Sequence, residues 1–228
     1  MKKLPPLPSL RELLSLYNLR AKKELSQNFI MNLKICNRII NLGFPNGYKN
    51  IEEKNNKINS KSNQEYIIEV GCGPGPLTRA ALLREETKKV IGVELDERFI
   101  PTLQMLGQAV EKDRLQLVQG DILDIDEEEL VKTFIPEDRL KGWIENKTSN
   151  VGFVGNLPFG VATPLLFKWI KQIGKKEGAF KKAGRIPMVL MFQEEVARRI
   201  TTEGPLYERI TILKPQEIVN KQQQQLQQ

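Results

Sequence analysis

The stretch Glu69-Val70-Gly71-Cys72-Gly73-Pro74-Gly75-Pro76-Leu77-Thr78 predicts a strand that turns tightly into a helix. It follows the β-rich run 66–70, and a helical pattern begins at about Leu77. Glycine at 71, 73 and 75 allows backbone amides to approach a ligand without interference from side chains. We therefore interpret the stretch as a cofactor-binding loop, and the rest of the chain must indicate which cofactor it serves.

Strand and helix patterns alternate on both sides of this loop. Predicted strands cover 66–70, 88–96, 115–121, 151–154 and 188–192, and predicted helices cover 33–42, 77–86, 98–110, 127–134, 163–173 and 193–200. This alternation indicates an α/β fold, a Rossmann-like parallel sheet with helices on both faces. Ligands of such sheets bind beyond the carboxyl ends of the strands. The carboxyl ends of the first four strands carry Gly71, Glu94, Asp121 and Asn156, which predicts a site there.

The spacing of the glycines distinguishes two classes of cofactor. A dinucleotide fingerprint needs a third glycine where this chain has Pro76, which disfavours an NAD-dependent dehydrogenase. The observed G-x-G-x-G order is typical of methyltransferases that use S-adenosylmethionine (SAM). Glu94 can accept both ribose hydroxyls in either class, whereas Asp121 can accept from the adenine amino group of SAM. Together these residues predict SAM as the cofactor.

The segment Asn156-Leu157-Pro158-Phe159 predicts the reaction. The N6 nitrogen of adenine is a poor nucleophile because its lone pair is delocalised into the ring. The Asn156 side-chain oxygen and the Pro158 carbonyl oxygen can hold its two hydrogens, and Phe159 can stack on the base. Catalysis would then rest on positioning and electrostatics, without a strong general base.

Composition excludes several alternatives. The chain of 228 residues has no histidine, so His-based triads and His metal sites are absent, and two widely separated cysteines predict no zinc site. We therefore predict no metal. No apolar run reaches the length of a membrane span. The net charge of +7 fits either a polyanion partner or simply a basic surface.

Further segments point to one known family. They are Leu25-Ser26-Gln27-Asn28-Phe29-Ile30, Glu69 to Thr78, Gly92-Val93-Glu94, Gly120-Asp121-Ile122, Gly155 to Phe159, and Phe192-Gln193-Glu194-Glu195-Val196-Ala197-Arg198-Arg199-Ile200. In these segments the chain resembles the rRNA adenine N6,N6-dimethyltransferases, the small-subunit dimethyladenosine transferases. It is most similar to their mitochondrial branch, through Leu4-Pro5-Pro6-Leu7-Pro8, Arg98-Phe99-Ile100-Pro101 and Thr163-Pro164-Leu165. The resemblance covers about residues 4–213, apart from an Asn/Lys-rich insertion.

The resemblance implies a set of site residues. Spacing alone makes residues 22–30 a linker, but the resemblance places 27–30 in the cofactor site. The expected SAM contacts are Asn28, Ile30, Gly71, Gly73, Glu94, Leu95, Asp121, Ile122 and Asn156. The expected catalytic residues are Asn156, Pro158 and Phe159, and the candidate RNA contacts are Lys22, Lys23, Arg198 and Arg199.

The resemblance also implies a substrate and a location. The substrate is a pair of adjacent adenines in the 3′-terminal hairpin loop of small-subunit rRNA, each methylated twice on N6. The partners would be that rRNA and the small ribosomal subunit, and the location the mitochondrial matrix. We expect a monomer with no membrane partner. The alternative is a non-catalytic factor of mitochondrial transcription or ribosome assembly that keeps the fold.

The expected domain organisation follows the same alignment of motifs. Residues 1–24 form a basic helical extension, and 25–214 form the methyltransferase domain. Residues 46–64, rich in Asn and Lys, and the Gln-rich tail 215–228 are expected to be disordered. By the resemblance, two further strands and a C-terminal helical domain are expected to be missing from this chain.

Overall fold

The computed structural model describes residues 4–6, 12, 30, 32–44, 64–144, 148–157, 159–192, 196, 197 and 200. The expected N-terminal extension, the Asn/Lys-rich insertion and the Gln-rich tail therefore lie almost wholly outside the described residues. What the structure does describe contains the glycine-rich loop and all five predicted strands. It contains no helix with the length and apolar character needed to cross a membrane.

Within the described residues, five parallel strands form one sheet. They are β1 (Glu65–Val70), β2 (Thr87–Glu94), β3 (Leu115–Gln119), β4 (Val151–Asn156) and β5 (Met188–Met191). Their order across the sheet is β3-β2-β1-β4-β5, and every neighbouring pair is parallel. The chain thus leaves β1 toward one edge of the sheet and later returns to its other side, which confirms the predicted Rossmann-like α/β fold.

Six α-helices connect and cover the described strands. They are α1 (Leu33–Gly43), α2 (Pro76–Leu83), α3 (Ile100–Ala109), α4 (Glu127–Phe134), α5 (Phe159–Lys175) and α6 (Ala179–Ala183). Helix α1 begins where predicted, since the Asn32 side chain accepts from the amides of Lys34 and Ile35. Helix α4 begins at an equivalent cap, because Asp126 accepts from the amides of Glu128 and Glu129.

The sheet separates two apolar clusters, one under each layer of helices. The first contains buried residues of α1, α2 and α3, such as Ile40, Leu82 and Leu103. The second contains buried residues of α4, α5 and α6, where Trp169 stacks on Phe153 of β4 with ring centroids 4.4 Å apart. Burial on both faces explains why β1 is buried along its whole length.

Strands β2 and β3 and helix α2 end two or three residues earlier than predicted, and two larger differences from the sequence predictions lie later in the chain. Helix α5 begins at Phe159 rather than Thr163, and Pro164 lies inside it. The proline lacks an N–H group and so removes one helical hydrogen bond, which the helix tolerates near its start. The segment 174–184, predicted as a loop, contains the short helix α6, whose Phe180 and Ala183 are buried in the second cluster.

Candidate cofactor and methyl-transfer site

The candidate residues gather where the chain changes direction across the sheet. Val70 of β1 is paired with Val93 of β2 on one side and with Gly155 of β4 on the other. Glu94 in turn is paired with Gln119 of β3. The carboxyl ends of four adjacent strands therefore meet at one edge, which is where parallel sheets of this order bind ligands.

The glycine-rich loop is shaped by backbone conformations that favour glycine. Gly71, Gly73 and Gly75 have φ angles of +71°, +51° and +88°. A Cβ atom on Gly75 would lie 2.8 Å from Leu106 Cδ1, so the loop is packed tightly against α3. A Cβ on Gly71 would meet nothing within 4 Å. The loop thus presents open space on the ligand side and close packing on the core side.

Glu94 joins the end of β2 to this loop. Its Oε2 accepts from the Gly73 amide at 2.6 Å, and its Oε1 accepts from the Asp96 amide at 2.8 Å. The side chain is only 5% exposed. Burial raises the pKa of Glu94, while the amide hydrogen bonds lower it. Each carboxylate oxygen keeps capacity for a second hydrogen bond, which suits a ligand with vicinal hydroxyl groups.

Glu69 lies beneath the loop as a buried acid. It is 1% exposed, and neither carboxyl oxygen has a hydrogen-bond partner among the described residues. Burial raises the pKa of Glu69 to about 8; the nearby Thr78 opposes the rise, and the charge of Glu94 adds to it. The thiol of Cys72 is buried beside it, and burial raises the pKa of that thiol as well. The raised pKa favours the neutral form of Glu69 in the folded chain.

Asp121 opens the turn that follows β3. Its Oδ1 accepts from the Leu123 amide at 2.9 Å, and its carbonyl oxygen accepts from the amides of Asp124 and Ile125. The next residue, Ile122, is 4% exposed. The Gly120 amide donates to the Glu94 carbonyl at 3.0 Å, which keeps this turn beside the end of β2. The second oxygen of Asp121 can accept from an amino group of a ligand.

Asn156 is the last residue of β4 and is half-buried. The preceding Gly155 leaves no room for a side chain, since a Cβ there would lie 3.0 Å from the Val70 carbonyl oxygen and 2.9 Å from Leu157 Cδ2. Helix α5 begins three residues later. Pro158 lies outside the described residues, and of Phe159 the structure describes only the backbone.

The other candidates differ in how far the structure describes them. Ile30 packs on the cluster under α1, α2 and α3, and Leu95 is 63% exposed next to Glu94. Asn28 and the four candidate RNA contacts Lys22, Lys23, Arg198 and Arg199 lie outside the described residues. The structure thus brings together the described candidates of the first four strand ends: Gly71, Gly73, Glu94, Leu95, Asp121, Ile122 and Asn156.

Sequence reasoning missed three residues around the site. They are Glu69 under the loop, Lys168 on α5, and Glu127, which is 1% exposed at the start of α4. A signal for Glu127 exists, because Glu127, Leu130, Val131 and Phe134 recur at helical spacing and so share the buried face of α4. No comparable local pattern marks Lys168, whose main-chain partners lie 43 to 46 residues away.

Comparisons with known proteins identify relatives of this chain. A family profile described as "Ribosomal RNA adenine dimethylase" matches residues 18–221. Mitochondrial dimethyladenosine transferase 1 of Bos taurus is 39% identical over 199 residues, which are 87% of this chain and 51% of the relative. The Homo sapiens protein of that name is 40% identical over 198 residues, covering 87% and 50%. The chain therefore spans about half the length of these curated relatives.

Among solved structures, the chain is similar to a dimethyladenosine transferase from Plasmodium falciparum. The TM-score is 0.45 at 24% sequence identity, and the match covers 75% of this chain and 46% of that one. An RNA methyltransferase from Salinibacter ruber, solved in complex with S-adenosyl-L-homocysteine, matches with a TM-score of 0.35 at 17% identity, over 59% of this chain and 67% of that one.

Proposed function

The chain belongs to the ribosomal RNA adenine dimethylase family, and on that premise we propose that it is a SAM-dependent methyltransferase acting on adenine N6 in rRNA. The observation that supports this most directly is the meeting of Gly71, Glu94, Asp121 and Asn156 at four adjacent strand ends. The substrate we propose is the pair of adjacent adenines in the 3′-terminal hairpin loop of small-subunit rRNA, each methylated twice.

The described residues fit SAM. The open space at Gly71 admits a ligand against the backbone of the loop. Glu94, already oriented by two amides, accepts from the ribose hydroxyls, and the remaining oxygen of Asp121 accepts from the adenine amino group. When bound, SAM supplies the methyl group on its sulfonium. Asn28, Ile30, Leu95 and Ile122 complete the contacts that we propose.

Asn156 is proposed to hold the acceptor nitrogen. Its side-chain oxygen accepts one N6 hydrogen of the target adenine, and the Pro158 carbonyl oxygen accepts the other. This arrangement aims the nitrogen lone pair along the line of transfer, while Phe159 stacks on the base. The catalytic contribution is positioning and electrostatics, so a chain without histidine can perform it.

The proposal extends to partners and location. Lys22, Lys23, Arg198 and Arg199 would contact phosphates of the rRNA, and the small ribosomal subunit would present the hairpin. The curated relatives have mitochondrial names, which favours a mitochondrial protein, and we place it in the matrix as a monomer. We further propose that the chain consists of a basic helical extension (1–24), the methyltransferase domain (25–214, which includes the insertion 46–64) and a Gln-rich tail (215–228).

The decisive experiment replaces Asn156 and separates transfer from binding. Asn156→Ala is expected to lower methyl transfer from labelled SAM to a small-subunit 3′-hairpin RNA by about 100-fold or more. Its affinity for S-adenosylhomocysteine (SAH), measured by calorimetry, should stay within about threefold of the unaltered chain. The matched control is Asn150→Ala, just before the opposite end of the same strand, which should leave both quantities unchanged.

Each other outcome has a definite meaning. Transfer at the unaltered rate in Asn156→Ala would refute the role of Asn156. An unaltered chain that binds SAH but transfers no methyl group would favour the non-catalytic factor of mitochondrial transcription or ribosome assembly. Tight NADH binding without SAH binding would instead restore the dehydrogenase alternative.

A further inference from the structure

Lys168 of α5 reaches across to the turn that follows β3. Its Nζ donates to the carbonyl oxygens of Ile122 at 3.0 Å, Leu123 at 3.0 Å and Ile125 at 3.1 Å. The same ammonium lies 2.9 Å from Glu127 Oε1. The Lys168 side chain is 24% exposed, so solvent screens these contacts only in part. One ammonium group therefore contacts three main-chain carbonyl oxygens of the turn and one carboxylate.

Glu127 anchors the other end of this contact. It is buried, and besides its ion pair with Lys168 it accepts from Trp169 Nε1 at 3.1 Å and from Gln172 Nε2 at 3.0 Å. Three side chains from successive turns of α5 thus converge on one carboxylate at the start of α4. Losing one of these donors would leave a buried charge partly uncompensated, which is costly. The contacts therefore favour a single arrangement of α4 against α5.

The turn that Lys168 holds is the part of the site assigned to the adenine end of the cofactor. It contains Asp121 and Ile122, while α5 begins three residues after Asn156, which is assigned to the acceptor base. Lys168 therefore connects the two halves of the site through one side chain. The hydrogen bonds of Lys168 are to main-chain oxygens, so they constrain the path of the turn itself.

We propose that Lys168 is a positioning residue that fixes the turn 121–126 to the helix of the methyl-transfer motif, and thereby shapes the adenine pocket before the cofactor arrives. This inference rests on the proposed SAM site and adds a residue that touches neither cofactor nor substrate. Pre-ordering a turn lowers the entropy lost on binding, so its loss should appear as weaker cofactor affinity. The rate of transfer at saturating SAM should change less.

The test compares Lys168→Met with Lys171→Met in the full chain. Lys171 is an exposed lysine on the same helix, and its replacement changes the net charge by the same amount. In Lys168→Met we expect SAH to bind about tenfold more weakly and the KM for SAM to rise by a similar factor, with kcat within about threefold. Lys171→Met should match the unaltered chain in all three quantities.

A second readout needs neither cofactor nor activity. The amides of Asp124 and Ile125 bond to the Asp121 carbonyl within the turn, and hydrogen exchange of the cofactor-free chain reports their opening. Exchange of the peptide 121–126 should rise in Lys168→Met and stay unchanged in β1 and β2. Should Lys168→Met fail to fold, Lys168→Gln keeps a donor, and both effects should be smaller but in the same direction.

The possible results separate the inference from the proposed function. An unaltered chain that fails to bind SAH would overturn both. Normal SAH binding by the unaltered chain, together with unchanged affinity and exchange in Lys168→Met, would overturn the role of Lys168 alone. A uniform rise in exchange over the whole sheet would also overturn it, since that pattern indicates general destabilisation and not a local constraint.

Discussion

The loop after β1 (residues 71–75) takes its shape from the backbone conformations of its own glycines and is joined to the neighbouring strand by Glu94, whereas the turn after β3 (residues 121–126) is held by a side chain from a distant helix. In the first, three glycines adopt positive φ angles, and the packing of Gly75 against α3 leaves no room for a Cβ. In the second, the Lys168 ammonium bonds to three main-chain oxygens of the turn. Both border the same strand, β2, and both contribute to the proposed cofactor site.

This difference shows two ways to preorganise a binding site. A conformation that only glycine adopts readily is specified by the residues of the loop themselves. A turn held from outside depends on the correct packing of a distant helix, so its order should respond to changes in α5. We therefore expect mutations to damage the first loop through strain in the folded state, and the second through loss of a tertiary contact.

The largest expected effect is the loss of stability caused by Gly75→Ala, which changes a residue of the first loop itself. The new Cβ would be held at a φ near +88° and would overlap Leu106 Cδ1. Strain and overpacking together should lower the free energy of unfolding by about 2–4 kcal/mol. For a chain of this size that corresponds to a fall of roughly 10 °C in Tm, measured by scanning calorimetry.

The control for this variant is Gly174→Ala in α5. A Cβ there meets nothing within 4 Å, and alanine has the higher helix propensity, so Tm should stay level or rise slightly. Similar losses in both variants would mean that the tight packing at Gly75 is not what holds the first loop.

A smaller effect is expected from Asp121→Asn, which alters the second turn on its ligand side only. The asparagine oxygen can still accept from the Leu123 amide, so the turn should keep its shape. The new amide group would face the adenine amino group as donor against donor, and SAH should bind roughly tenfold more weakly with Tm nearly unchanged. Calorimetric titration measures the affinity.

Exposed Asp124 in the same turn supplies the control, since Asp124→Asn changes the charge equally without touching the proposed ligand face. Equal weakening in both variants would assign the effect to net charge. In addition, Asp121→Asn should leave hydrogen exchange in the turn unchanged, in contrast to Lys168→Met. That contrast separates a residue that contacts the ligand from one that positions the turn.

The two loops also show which parts of the fold and of the candidate site can be predicted from the sequence. Glycine spacing and strand-end acids are local signals, so the strands, the first loop and the positions of Glu94, Asp121 and Asn156 were all predictable. The contact of Lys168 with the turn after β3 joins residues from two separate elements, and no local pattern encodes it. Pro164 misled the prediction of where α5 begins, because a proline usually marks a helix start.

Glu69 was missed for a different reason. A glutamate that precedes the loop was predictable, but the burial of its carboxyl group depends on what packs around β1 from both faces of the sheet. Only the assembled core shows that its carboxyl group is enclosed. Burial, and hence the raised pKa, is a property of the tertiary structure and not of the motif.

The smallest of the expected effects comes from Glu69→Gln. This variant tests whether the carboxyl group beneath the first loop is protonated in the folded chain. Burial raises the pKa of Glu69 from 4.5 to about 8 in the folded chain, so unfolding releases a proton between these two pH values. The stability that this pKa shift contributes should therefore be fully present below pH 4.5 and should be lost as the pH rises through about 8. The glutamine mimics the protonated acid, so its stability curve should be flatter over this window.

Urea denaturation at a series of pH values measures this slope. Exposed Glu97 provides the comparison, since Glu97→Gln should keep the slope of the unaltered chain. Parallel curves for the unaltered chain and Glu69→Gln would contradict a protonated Glu69. Such a result would mean that the carboxylate is charged beneath the loop and compensated by a group that approaches it in solution.

The placement of the two cysteines has a practical consequence. Cys36 and Cys72 are the only thiols of the chain, and both are free and buried in the apolar cluster under α1, α2 and α3. Burial raises the pKa of Cys36 to about 12, so little thiolate forms in the folded state. A thiol reagent therefore reacts only when the structure opens around α1 or the glycine-rich loop. The rate at which the two thiols are labelled thus reports how often those regions open in the native chain.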